Sequence, residues 1–176
     1  MIALVLALIV GTLATPGITS RTESSDDNAI GVALTVATFP TGAVFTVGDL
    51  PGIDPAAADP WLTAVLGGWN AAAGRTVFQR TAGNDQNVTF DFDAADVCPP
   101  AASGCTDLEL DTDGVITGCR IHLTPGASSY VGAHETGHCL GLSHEHTDGY
   151  TGVMIVPSPD NPSDRASLIA AGITDP

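Results

Sequence analysis

The sequence contains no lysine. Its entire positive charge rests on 5 arginines, set against 20 acidic residues, for a formal net charge of -15. Such a field repels phosphate backbones and anionic membrane surfaces, which excludes nucleic acid as a partner. An acidic coat of this kind suits the solubilising surface of an exported protein. Long hydrophobic runs are also missing. The one apolar stretch, residues 1–14, is too short to span a bilayer and has the length of a signal-peptide core, although no basic residue precedes it. Export is therefore expected, with no stable membrane insertion once the signal is removed. There are no internal repeats and no sign of a second core.

What is present reads as a globular, turn-rich chain: 44% hydrophobic residues with 20 glycines and 12 prolines. We divide it into a signal peptide at 1–14, an N-terminal arm at 15–37 with one strand, and a single α+β domain at 38–176, expected as a monomer. The 4 cysteines can pair in an oxidising compartment. Three connectivities are open to them, and the sequence alone does not choose. The preferred one joins Cys98 to Cys105 around a Pro-Pro loop and Cys119 to Cys139 between a strand and a helix. None of the cysteines has the spacing of a zinc finger.

Along the domain, residues 43–47 read as a strand. Asp59-Pro60 is expected to open a helix, with Asp59 as cap and Pro60 at the first helical position. Trp61, Leu62, Val65, Leu66 and Trp69 then share one face, and Gly74 stops the run. Strands follow at 76–79 and 88–92, the second with alternating Val88, Phe90 and Phe92, and another at 115–123. A second helix is predicted from Ser128 or Ser129 through Leu140, ended by Gly141 at positive φ. A short terminal helix is expected at 163–171.

Four of the 5 histidines fall within residues 134–146. Residues four apart on a helix differ by only about 40° in direction and about 6 Å in height, so His134 and His138 can reach one ion together. Glu135 can approach the open side of that ion without ligating it. Beyond Gly141 the chain reverses and brings His144 up as a third ligand. Three neutral imidazoles leave a fourth position for water, the arrangement of a catalytic zinc site. His146 is assigned to the surroundings of the site or the surface. Glu145 either orients a ligand histidine or is simply exposed. Cys139, one helical step after His138, faces away from the ion. Calcium is a second candidate cofactor at Asp107, Glu109, Asp111, Asp113 and Gly114, although the stretch reads more readily as a solvated acidic loop. Asn87-Val88-Thr89 is a glycosylation sequon.

The segment HETGHCLGLSH, residues 134–144, resembles the zinc signature of the metzincin metallopeptidases, HExxHxxGxxH, at every fixed position. Met154, ten residues past His144, is similar in placement to the methionine of the turn beneath the metal in the matrixin and snapalysin branches. His144 as third ligand favours the matrixin type, since snapalysins use an aspartate. Position 156 is Val, where astacins and serralysins carry a tyrosine. Matrixins have a pro-domain cysteine that caps the zinc, and the arm here has none. The resemblance covers residues 38–172. It implies a twisted, mostly parallel sheet with two long helices, a zinc cleft, and a small irregular C-terminal subdomain with a terminal helix. It also implies one catalytic Zn2+, a Met-turn at Met154, and a substrate pocket walled by Val156, Pro157 and Ser158.

The function expected is zinc-dependent hydrolysis of internal peptide bonds by a secreted endopeptidase. Its protein or peptide substrate would lie extended along an edge strand at 115–123, with Glu135 as general base. The rivals are a catalytically idle zinc-binding or adhesion protein on the same scaffold, and a zinc hydrolase of a non-protein amide.

Overall fold

Two Asp-Pro pairs five residues apart compete to start the first helix. In the computed structural model, which describes residues 19–24, 37–82, 85–143, 168–169 and 171–174, the earlier pair prevails. Helix α1 spans Pro55–Ala73. Asp54 caps it, its carboxylate accepting the Ala56 N–H at 3.1 Å, and Pro55 sits where a missing N–H costs nothing. The expected start at Asp59-Pro60 is thus corrected. Three alanines, residues 56–58, favour helix strongly enough to carry it back past Pro60, which now lies inside. Ala58 is buried by the extension. Asp59 is released from capping and pairs with Arg80, as does Asp49 at 2.7 Å. The face foreseen for α1 is otherwise the buried one: Leu62, Val65, Leu66 and Trp69 enter the core, and Gly74 ends the helix. Burying side chains of this size contributes about 1.5–3 kcal/mol each.

The sheet contains β1 (Thr19–Ser24), β2 (Phe45–Val47), β3 (Phe78–Arg80), β4 (Val88–Asp91), β5 (Gly104–Leu110) and β6 (Ile116–Leu123), in the spatial order β1-β5-β6-β4-β2-β3. Strands β3, β2, β4 and β6 pair parallel to one another, while β5 is antiparallel to β6 and β1 antiparallel to β5. The fold is therefore α+β with a mixed, mostly parallel sheet. Helix α2 is a single turn, Ala94–Val97, and α3 runs over Ser129–His138. Only α1 is long. The second helix stops two residues before Leu140, because the chain tightens into bonds from Leu140 N to Gly137 O and Gly141 N to His138 O.

Two expectations fail at β5 and β6. The run holding Asp107 and Glu109 is not a loop, since both residues lie on β5, where they alternate with buried Thr106 and Leu108. The acidic alternates had masked a half-buried strand of period two. The segment 115–123 is no sheet edge either. Strand β6 has β5 on one side and β4 on the other, so no extended substrate can pair with it there.

Helix α1 packs against α3 and β3, and α3 rests on β5 and β6. Trp69 is fully buried and donates its indole N–H to the Ala133 carbonyl at 2.8 Å, which clasps α1 to α3. Asn70 accepts the Val77 and Phe78 N–H groups and donates to Phe78 O at 2.9 Å, fixing the entry to β3. The two disulfides are Cys98–Cys105 and Cys119–Cys139, the pairing preferred from the sequence. Near the C-terminus, Leu168 and Ile173 are buried, and Arg75 donates to Ile173 O at 2.9 Å. Most of the terminal helix expected at 163–171 lies outside the described residues, as does the signal peptide. Among the described residues no helix is long and apolar enough to cross a membrane.

Candidate active site at helix α3 and strand β5

Helix α3 begins where Ser128 accepts the Val131 N–H, and it delivers His134 and His138 one turn apart. Their ring centroids are 5.1 Å apart and nearly perpendicular, so the two imidazoles converge on one side of the helix. His138 is fully buried. Just past the helix, Gly141 takes φ +80°, and a Cβ there would fall 2.2 Å from the Ala37 carbonyl oxygen, so only glycine fits the reversal. That reversal places the Leu142 carbonyl 2.8 Å from His138 Nδ1. A carbonyl can only accept, so Nδ1 carries the proton and Nε2 keeps the lone pair. The turn residue foreseen as a stop signal thus also sets the tautomer of a histidine three residues earlier.

Glu135 lies between α3 and β5 with 1% of its surface exposed. Thr106 on β5 donates to its carboxylate at 3.0 Å, and Gly104 leaves the room the side chain occupies: a Cβ at 104 would sit 3.0 Å from Glu135 Cγ. The other carboxylate oxygen, Oε1, is buried with no hydrogen-bond partner among the described residues. Burial pushes the Glu135 carboxyl up to about 8, and the Thr106 hydrogen bond offsets only part of that. A carboxyl poised near neutrality can both take and return a proton in the working pH range.

The structure thus brings together His134, Glu135 and His138. His144, Glu145, His146, Met154 and the pocket residues Val156, Pro157 and Ser158 lie outside the described residues. Cys139 follows the helix and is tied to Cys119 on β6, which anchors the C-terminal end of α3 to the sheet.

A second group of potential ligands was not foreseen. Asp91, Asp93 and His122 each offer an atom within 4.8 Å of the others, close enough to share one metal ion. Asp91 and His122 are cross-strand partners on β4 and β6, and Asp93 lies two residues past the end of β4, at the cap of α2. His122 is 4% exposed, with Nδ1 at 2.6 Å from Asp93 and Nε2 at 3.5 Å from Asp107. The lone fifth histidine carried no local signal, because Asp91 and Asp93 lie about thirty residues upstream and Asp107 fifteen, all joined to it only by strand pairing.

The acidic stretch considered for calcium is divided by the fold. Asp107 and Glu109 belong to β5, whereas Asp111 closes the β5–β6 turn by accepting the Asp113 and Val115 N–H groups at 2.9 Å. Asn87 of the sequon is half-buried and engaged: it accepts from Thr46 at 3.1 Å and donates to Thr117 O at 3.3 Å. Its amide serves as a bridge between β2 and the start of β6. In comparisons with known proteins, no family model and no curated protein matches the chain.

Proposed function

We propose that the protein is a secreted zinc-dependent endopeptidase of the metzincin type, in which His134, His138 and His144 hold the metal and Glu135 is the general base. The observation that carries this reading is the placement of Glu135. It is a nearly fully buried carboxyl on the same helical turn as two convergent histidines, with one oxygen held by Thr106 and the other without a hydrogen-bond partner among the described residues. A merely structural glutamate in so dry a place would be expected to have both oxygens satisfied.

The donors suit zinc. Two imidazoles converge, and the Leu142 carbonyl accepts from Nδ1 of His138, which fixes the tautomer with its lone pair on Nε2. A bound zinc ion would polarise the scissile carbonyl and acidify the attacking water. Glu135 takes the proton from that water and passes it to the departing amine nitrogen. A cation held by the histidines would draw the Glu135 carboxyl down from the raised value of the metal-free fold. Thr106 keeps one oxygen fixed, so the other is the one presented to water.

Secretion fits the apolar leader, the two disulfides and the acidic surface. The test is cleavage of casein and of a peptide library by the purified chain beside Glu135→Ala, with zinc measured in both. Cleavage lost in the variant while zinc is retained supports the assignment. Zinc in both with cleavage in neither favours the idle binding protein or the non-protein amide. A folded chain that takes up no zinc refutes the proposal.

A further inference from the structure

Strand β5 opens with Gly104, Cys105 and Thr106, and the outer two of these form the socket of Glu135. Gly104 supplies the room: a Cβ there would meet Glu135 Cγ at 3.0 Å, Glu135 Oε1 at 3.1 Å and the His122 carbonyl oxygen at 3.1 Å. Thr106 supplies the hydrogen bond. Its hydroxyl lies 3.0 Å from both the carboxylate and the main-chain oxygen of Glu135, so it is keyed to the helix as well as to the side chain. The glycine that makes the room brings no side chain to pack, and the strand therefore starts weakly.

The residue between them makes good that weakness. Successive side chains of a strand point to opposite faces, so Cys105 turns away from Glu135. It is bonded to Cys98, the residue that closes α2. Between the two cysteines runs Pro-Pro-Ala-Ala-Ser at 99–103, of which Ala102 alone is buried, before Gly104 begins the strand. Ala101 in this loop holds φ +72°, the one positive φ of a non-glycine among the described residues, in a region that a Cβ resists. Opening the S–S bond lets Ala101 return to its preferred region and frees the start of β5 to move. The two disulfides also differ in exposure. Cys119 and Cys139 are both buried, whereas Cys98 is only half-buried, so a reductant reaches Cys98–Cys105 first.

We propose that the Cys98–Cys105 disulfide is a positioning element for the general base: it pins Gly104 and Thr106 against Glu135, and opening it suppresses peptide hydrolysis while the fold and the metal remain. The catalytic consequence rests on the peptidase reading, but the mechanical link between the S–S bond and the socket does not.

The test treats the full chain, loaded with zinc, with a water-soluble trialkylphosphine, which does not chelate zinc as dithiols do. The phosphine takes an oxygen atom from water and becomes its oxide, and the disulfide gains two electrons and two protons as a pair of thiols. Alkylation and mass spectrometry show which bond has opened. Hydrogen exchange follows the amides of 104–106, with those of α1 and β4 as the check on folding. Cys98→Ala/Cys105→Ala repeats the measurements without free thiols to draw off zinc, and glutathione disulfide re-forms the bond in the reduced wild type. Expected are opening of Cys98–Cys105 ahead of Cys119–Cys139, faster exchange at 104–106 and recovery on reoxidation. Hydrolysis of a fluorogenic peptide should fall by roughly 10–100-fold in kcat with KM within about twofold, the mark of a displaced base.

Combination with Thr106 tests the route. Thr106→Val keeps the shape and loses the hydroxyl, whereas Thr106→Ser keeps the hydroxyl and should retain most of kcat. In the Thr106→Val background, removing the disulfide should lower kcat by less than about twofold further, because the two act as a unit. Losses that multiply overturn the proposal. So does unchanged kcat or unchanged exchange at 104–106 with the bond open, or opening of Cys119–Cys139 first. Disturbed exchange in α1 or β4 would show the bond to support the whole fold, which also overturns it. If the untreated chain holds zinc and cleaves nothing, the peptidase reading falls, and exchange at 104–106 alone decides whether the bond pins the socket.

Discussion

Among the described residues, histidine and carboxylate meet at α3 and again at the ends of β4 and β6, and the two places are built in opposite ways. At α3 the residues are neighbours in sequence, and a helical turn suffices to bring His134, Glu135 and His138 together. At the ends of β4 and β6, His122 meets Asp91 and Asp93 only because two parallel strands pair in one register. Burial separates them further. Glu135 is sealed and its carboxyl pushed up to about 8, whereas Asp91 and Asp93 are only partly covered. A carboxyl that is dry and incompletely bonded is suited to proton transfer, and one that is wet and paired is suited to holding a histidine or a cation.

The largest effect should come from asking both places to catalyse. Glu135→Gln is expected to lower peptide hydrolysis by on the order of 10²–10⁴-fold, the usual worth of a positioned acid–base group. His122→Asn should leave kcat within a few-fold. A comparable loss from both would erase the distinction.

The next prediction concerns stability of the metal-free chain. Glu135 holds its proton up to about 8 in the fold but only to about 4.5 when exposed. Between those values the unfolded chain has released a proton that the fold keeps, so wild-type stability should fall as pH rises, by up to about 1.4 kcal/mol per unit. Below this window the term is absent, and Glu135→Gln should flatten the slope. Urea denaturation at a series of pH values reads this directly, and identical slopes would contradict the burial argument.

The disulfides sharpen the contrast between the two ends of the site. Cys119–Cys139 closes 20 residues and secures the end of α3, so replacing both with Ala should cost about 3 kcal/mol. Cys98–Cys105 closes only 7 and should cost less by several tenths of a kcal/mol or more. Thermal unfolding of the two variants checks the order. The smallest effect is expected at Arg80→Ala, where pairs with Asp49 and Asp59 are largely solvent-exposed. A change within about 1 kcal/mol, diminishing with salt, is predicted.

What could be read along the chain follows the range of the interactions. The α1 face, the Gly74 and Gly141 stops and the approach of His134 to His138 all depend on spacings of a few residues, and all were legible. The start of α1 was misplaced because two equivalent Asp-Pro pairs are distinguished only by the helical preference of the alanines between them and the burial of Ala58. Strand β5 went unread because Asp107 and Glu109 occupy its open positions, and an acidic alternation resembles a loop until its other side is known to be covered.

The sequence by itself determined the helix that carries His134 and His138, the place of Glu135 beside them and the glycine turn that follows, because each is set by residues within one or two turns of one another. Only the tertiary structure decided which strand is interior. It also decided that Thr106 and Gly104 hold Glu135, that His122 meets Asp93, and that the polar arm lies along β5. Those contacts join segments up to about ninety residues apart, and strand register, which no local pattern encodes, selects them.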